Sequence, residues 1–192
     1  MKNLIIISAP SGSGKTTVCK ALMKRNPDIH FSVSCTTRPQ RLNEVDGVDY
    51  YFMSDQEFEA RIQRNEFAEW EQIHGNFYYG TLKKTLEDAI EAETFLLLEL
   101  DVQGAMSLKE LYPENNLSIF IMPPSLDDLK VRLRKRGTDS EDRIKKRLER
   151  LNHELDFKKY FDHDVINDNL DMAVTKIVEI INLENEGILY GT

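Results

Sequence analysis

The chain has only two cysteines, Cys19 and Cys35, with no CxxC pair and no histidine beside them at ligand spacing. That excludes a disulfide framework and a thiolate metal site, and a reduced, cytoplasmic setting is expected. Histidine is as sparse: His30, His74, His153 and His163 are scattered, so a structural zinc site has no ligand set, and each imidazole is expected to be an ordinary surface or half-buried one. Positive charge is outnumbered, with 25 Lys and Arg against 33 Asp and Glu and a net charge of -8. A sequence-independent grip on DNA or RNA needs many unopposed cations, so no nucleic acid partner is expected; any anion bound should be small and met by local charge. No apolar run approaches the roughly 20 residues that cross a bilayer, so no membrane association is expected. The opening MKNLIIISAP runs into a glycine-rich turn and not into a small-residue cleavage site, and reads as a buried first strand. Repeats, linkers and low-complexity tracts are missing too, and 192 residues suit one α/β core with small insertions. Nothing in the pattern fixes the oligomeric state, and a homodimer is left open.

What the chain does have is an alternation of short apolar runs and helical periods. Leu4 to Ile7, Phe95 to Leu100, Leu117 to Ile121, and Val165 with Ile166 read as strands covered on both faces. Helical patterns follow each: to about Arg25, Val102 to Leu111, Leu126 to Arg136, and Leu170 to Ile181. This predicts a parallel sheet flanked by helices. Residues 31 to 80 break the alternation. There FSVSCTTRP and VDYYFMS read as strands, DQEFEARIQRNEF as a helix and Gly75-Asn76 as a turn, which predicts a small α+β insertion. A second break, RLRKRGTDSEDRIKKRLERL, is arginine-dense around Gly137, with Asp139 or Ser140 able to cap a new helix, and suits a flap.

Chemistry concentrates first in SAPSGSGKTT, residues 8 to 17, between a strand and a helix. Gly12 and Gly14 let the loop that also holds Ala9, Pro10, Ser11 and Ser13 fold its N–H groups, all but proline's, into a nest around phosphate oxygens at a helix amino end. Lys15 would bridge the terminal phosphates of ATP, Thr16 would offer its hydroxyl to Mg2+, and Thr17 completes the set. The usual P-loop pattern has glycine where this chain has Ala9; alanine is small and the rest is intact. A P-loop alone leaves the reaction open, but the length and the arginine-rich flap favour a small phosphotransferase. Within the insertion, Ser34, Arg38, Arg41, Tyr50 and Tyr79 are donors that can surround one more phosphate. Each alone is an ordinary surface arginine or half-buried aromatic; together, beside a P-loop, they favour a monophosphate acceptor.

In order and spacing, SAPSGSGKTT, FSVSCTTRPQRLNEVDGVDYYF, NEFAEW, YGT, LELDVQG, IMPPSLDDLKVRL, RGTDSEDRIKKRL and VINDNLDMA resemble the guanylate kinase family over nearly the whole chain. The resemblance implies a P-loop nucleoside monophosphate kinase fold in three parts: a core of residues 1–33, 83–133 and 148–192, a GMP-binding insertion over 34–82 and a lid over 134–147. It implies transfer of the γ-phosphoryl group of ATP to GMP or dGMP, with Mg2+. Ser34, Arg38, Arg41, Glu44, Tyr50, Glu69, Tyr79, Thr81 and Asp101 match acceptor-site positions, and Tyr78 is the alternative to Tyr79 because GNFYYGT is one residue longer than the family's usual form. Glu99 stands where the family commonly has Asp. Of six arginines between Arg132 and Arg150, Arg136 and Arg147 match lid positions, and with Lys15 and Arg38 they are the catalytic candidates; Asn167 matches a contact to adenine.

Glu69 has a chemical rationale of its own. An ionised carboxylate only accepts, which suits the N1–H and N2 amino donors of guanine and leaves adenine without a match. Two other readings are a guanylate-kinase-like interaction module without catalysis and a P-loop kinase for a sugar phosphate. The first should lose lid or P-loop groups that this chain keeps, and the second has no use for Glu69.

Overall fold

The computed structural model describes residues 1–10, 12–73, 76–125, 151 and 153–185. Nine strands and five α-helices are described: β1 (Leu4–Ser8), α1 (Lys15–Arg25), β2 (Ile29–Phe31), β3 (Cys35–Thr36), β4 (Tyr51–Phe52), α2 (Asp55–Gln63), β5 (Phe67–Ile73), β6 (Phe77–Leu82), α3 (Lys83–Glu91), β7 (Phe95–Glu99), α4 (Val102–Leu111), β8 (Asn116–Met122), β9 (His163–Ile166) and α5 (Leu170–Glu184). They form two sheets. The core sheet runs β2-β7-β1-β8-β9, parallel throughout, and the second runs β4-β3-β6-β5. None of the described helices is long and apolar enough to cross a membrane.

The central strand explains why β1 is apolar at every position. Ile5 and Ile7 face α1 and α5, packing with Val18, Leu22, Ile177 and Ile181. Leu4 and Ile6 point the other way and pack with Leu86 of α3 and Ala105 and Leu108 of α4. A strand with a helix layer on both faces has no polar side, and burying each such side chain contributes about 1.5–3 kcal/mol. Capping side chains set three helix starts: Ser54 accepts from Glu57 N at 3.2 Å, Asp101 from Gly104 N at 2.8 Å, and Asn169 from Met172 N at 3.0 Å.

The core matches the parallel architecture expected from the alternation, and the insertion differs in detail. FSVSCTTRP is not one strand: Phe31 ends β2 on the edge of the core sheet, while Cys35 and Thr36 pair with β4 and β6 in the second sheet. The intervening Ser34 gives its carbonyl to Tyr51 N at 2.9 Å, so the chain changes sheets there. VDYYFMS joins the second sheet only at Tyr51 and Phe52, with Tyr50 in an isolated bridge to Asp46, because Val48 and Asp49 are held in a turn by donating to the Val45 carbonyl. The helix read through Phe67 stops at Gln63: Asn65 adopts φ 56°, a left-handed conformation that ends a helix, and Phe67 opens β5. The last core strand starts two residues earlier than read, at His163. The helical pattern at Leu126 to Arg136, the segment around Gly137, Asp139 and Ser140, and the expected lid with Arg136 and Arg147 lie outside the described residues, as do Ser11, His74 and Gly75.

Candidate functional site

Loops at the carboxyl ends of β1, β7 and β9 meet along one edge of the core sheet, where parallel α/β sheets bind ligands. After β1, Gly12 and Gly14 adopt φ 91° and 87°, a left-handed backbone that an L side chain resists, and Ser13 N donates to Pro10 O at 3.1 Å. These turns aim the loop at the amino end of α1. Ala9 is 7% exposed and shares the apolar cluster of Ile7 and Val18, so its methyl fills core where the motif has glycine. Lys15 Nζ donates to the carbonyl of Leu100, just past β7, at 2.6 Å, and Thr16 Oγ1 donates to Glu99 Oε1 at 2.5 Å. Thr17 is exposed on the next position of α1.

The second half of the site follows from strand parity. β5 and β6 pair antiparallel, with Glu69 opposite Thr81 and Glu71 opposite Tyr79. Alternation puts these four on one face, and Trp70, Gln72 and Tyr78 on the other. Tyr78 stacks on Phe58 of α2 with centroids 5.1 Å apart, beneath the sheet, whereas Tyr79 faces inward and meets Tyr50 edge-to-face with ring centroids 6.0 Å apart. Of the two tyrosines, the cavity therefore takes Tyr79. The register shift between Phe67 and Glu69 marks where Phe67 turns into the α2 side and Glu69 enters the inner face.

Glu69 Oε1 accepts from Thr81 Oγ1 at 2.5 Å. Burial pushes its carboxyl up to about 7 and the nearby Asp101 charge adds to this, against the opposing Thr81 hydrogen bond. Asp101 has its own carboxylate committed to the cap of α4. Between them lies Gly104, where a Cβ would stand 3.1 Å from Glu69 Oε2 and 3.4 Å from Asp101 Oδ1.

One cavity of about 690 Å³ joins both halves and is lined by Lys15 and Thr16 from the P-loop side and by Ser34, Tyr50, Glu69 and Tyr79 from the second sheet. Glu99 and Asp101 line the wall between. Arg38 and Glu44 sit behind Tyr50. The guanidinium is gripped by the Glu44 carboxylate through Nη1–Oε2 at 3.0 Å and Nη2–Oε1 at 2.8 Å, and lies 5.4 Å from the Tyr50 ring centroid. That bond chiefly raises the Arg38 pKa and lowers that of Glu44, and the neighbouring Tyr79 raises Arg38 further. Arg41 is exposed and gives its backbone N–H to Glu44 at 2.8 Å. Asn167 does not line the cavity; it lies under the P-loop, with Nδ2 donating to Ser13 O at 2.9 Å.

Sequence reasoning did not single out Gly104, Lys20 or Glu71. Gly104 carried a readable signal, since it falls three residues after a capping Asp at a strand end; Lys20 and Glu71 line the cavity only because of how helix and sheet face each other. Among the described residues no cluster of three His, Cys, Asp or Glu could cage a metal ion. The hydroxyl and carboxylate of Thr16 and Glu99 are hard oxygen donors of the kind Mg2+ takes, one or two at a time, beside phosphate oxygens.

A family model described as guanylate kinase matches residues 1–184. The guanylate kinase of Chlorobium luteolum is 47% identical over 179 residues, covering 93% of this chain and 90% of its own. That of Carboxydothermus hydrogenoformans is 43% identical over 181 residues, 94% and 88% of the two chains. The crystal structure of guanylate kinase from Anaplasma phagocytophilum aligns with a TM-score of 0.75 at 31% identity, over 97% and 86% of the chains. A shikimate kinase from Bacteroides thetaiotaomicron, at 15% identity and a TM-score of 0.52, shares the fold alone.

Proposed function

Because the chain belongs to the guanylate kinase family, we propose that it transfers the γ-phosphoryl group of ATP to GMP with the following division of labour. The observation that carries it is the single cavity onto which a phosphate cradle and a buried, hydrogen-bonded carboxylate both open. Residues 34–82 form the GMP-binding insertion on the core, and residues 134–147 form the lid. The P-loop from Ala9 to Thr17 wraps the donor's phosphates, and Lys15 bears on its terminal phosphate. Thr16 would hold Mg2+ through its hydroxyl, whose proton Glu99 accepts, and the bound ion would neutralise charge on the donor phosphates. Arg38, Arg41, Tyr50 and Tyr79 take the acceptor phosphate, and Glu44 keeps the Arg38 fork oriented before substrate arrives. Arg136 and Arg147 supply charge for the transferring group and help exclude water. Asn167 contributes to the adenine side.

At the base end, Glu69 accepts from guanine N1–H and the N2 amine while Thr81 holds it by donating to its Oε1, Ser34 donates to O6, and Asp101 shapes the wall. The base and phosphate that these groups take are the same in dGMP, which is the second acceptor. A coupled assay with Mg-ATP is expected to show turnover of GMP and dGMP and none of AMP or ribose phosphates; failure on GMP overturns the reading.

The elevated Glu69 pKa sets a pH dependence. The empty site holds Glu69 protonated below about pH 7, whereas guanine's donors require the carboxylate. Binding therefore releases a proton, and KM for GMP should be flat above about pH 7 and rise by up to about tenfold per unit below it. The substrate's own second phosphate ionisation, near pH ~6, adds below that point. KM measured from pH 5.5 to pH 8.5 checks this, and a flat profile between 6 and 7 would contradict it.

Gly104→Ala separates helix stability from substrate fit. Alanine favours a helix by about 1 kcal/mol, so the melting temperature should hold or rise. The added methyl presses on the Glu69 carboxylate, 3.1 Å from its Oε2, and KM for GMP should rise about three- to tenfold with KM for ATP unchanged. Steady-state kinetics on both substrates give the answer.

A further inference from the structure

Asn167 is 8% exposed and reaches across 154 positions of sequence to the P-loop, where Nδ2 donates to the Ser13 carbonyl at 2.9 Å. Its backbone is fixed in turn, since Asn167 N donates to Met122 O at 2.8 Å, at the end of β8. The carboxamide orientation follows from the partner: a carbonyl can be met only by the NH2 end. The same nitrogen lies 2.7 Å from where a Cβ on Gly14 would stand, and Gly14 has φ 87°. So the amide fills the hollow under the loop's last left-handed turn and ties down the carbonyl of the preceding residue. A peptide unit in a phosphate nest must turn its N–H toward the anion and its C=O away; a donor behind the C=O fixes that orientation.

We propose that Asn167 is a positioning residue for the phosphate cradle: its carboxamide, clamped to Ser13 O beneath Gly14, holds the P-loop N–H groups in their phosphate-binding orientation, whatever base the donor carries. The proposal rests on the P-loop being the donor's phosphate site and not on GMP being the acceptor. It also separates two roles that an adenine contact alone would not. A base contact acts on ATP only, whereas a clamp on the loop acts on any polyphosphate.

The test uses inorganic tripolyphosphate, which has no base, titrated calorimetrically into the full chain and into Asn167→Ala and Asn167→Asp, beside ATP and with GMP absent. Losing one buried hydrogen bond should weaken tripolyphosphate and ATP by the same factor, about tenfold, in Asn167→Ala. Asn167→Asp keeps the volume but turns an acceptor toward a carbonyl and adds negative charge behind the nest, and should lose more. In steady state KM for ATP should rise and KM for GMP stay within twofold. Weakened ATP with unchanged tripolyphosphate binding in the two variants would overturn the proposal and leave Asn167 as a base contact. Unchanged binding of both ligands would also overturn it. Should Asn167→Ala fail to fold, the nearly isosteric Asn167→Asp decides by the same comparison. Loss of GMP turnover in the unmodified chain would bear on the kinase reading alone.

Discussion

Lys15→Ala is expected to lower kcat for GMP phosphorylation by at least about 10³-fold while leaving a folded protein. The transferring phosphoryl group spreads negative charge over its equatorial oxygens, and the protein's share of the work is positioned positive charge. Lys15 opens α1 directly after Gly14, and its Nζ is already held by the Leu100 carbonyl at 2.6 Å. The ammonium is thus fixed on the cavity wall before substrate binds, so little reorganisation remains at the moment of transfer. Its structural stake is small: one hydrogen bond at a partly exposed position is worth about 1 kcal/mol. For a chain of this size that shifts the melting temperature by about 2–4 °C. Single-turnover rates and a thermal melt on the same preparation make the comparison, and a variant within tenfold of the parent would remove Lys15 from the mechanism.

Glu69→Gln is expected to raise KM for GMP about 10- to 150-fold, the loss of one charge-assisted hydrogen bond, with KM for ATP unchanged. Glutamine keeps one acceptor, so Thr81 retains its partner, but the amide NH2 now faces the donors of guanine. The preference for GMP over AMP should fall by a similar factor. Two further readouts distinguish base reading from a general structural role. The rise of KM between pH 7 and pH 6 should vanish, because the titrating group is gone. The sign for stability is opposite to that for binding. Glu69 has its folded pKa raised to about 7, so between the ordinary carboxylate range and pH 7 the folded state holds more protons than the unfolded one, and stability falls as pH rises through that window. Removing the buried charge should therefore leave the substrate-free variant at least as stable as the parent at pH 8. Equal loss on GMP and ATP, or a variant that melts early, would count against base reading.

Much of the site was legible before any coordinates because its chemistry is local. SAPSGSGKTT carries its own geometry: two glycines free to turn left-handed, a lysine and a threonine at a helix start. The helix Val102–Leu111 and the apolar β1 were readable from period and composition alone. Boundaries inside residues 31 to 80 were not. Strands of two residues bury too little to leave a hydrophobic pattern, and the split between Phe31 and Cys35 depends on which sheet offers a free edge. The choice between Tyr78 and Tyr79 was also closed to sequence, since adjacent tyrosines look alike until the pairing register assigns faces.

The sequence by itself determined the phosphate cradle and the parallel core, because each is written in contiguous runs whose conformational preferences and polarity suffice, and its motifs carried the resemblance to the kinase family. Only the tertiary structure decided that Glu69 is buried beside Asp101 and shifted to about 7, that Tyr79 and not Tyr78 enters the cavity, and that Asn167 reaches under Ser13. Desolvation, strand facing and a contact across 154 residues are properties of what the fold brings near, and no local run of residues encodes them.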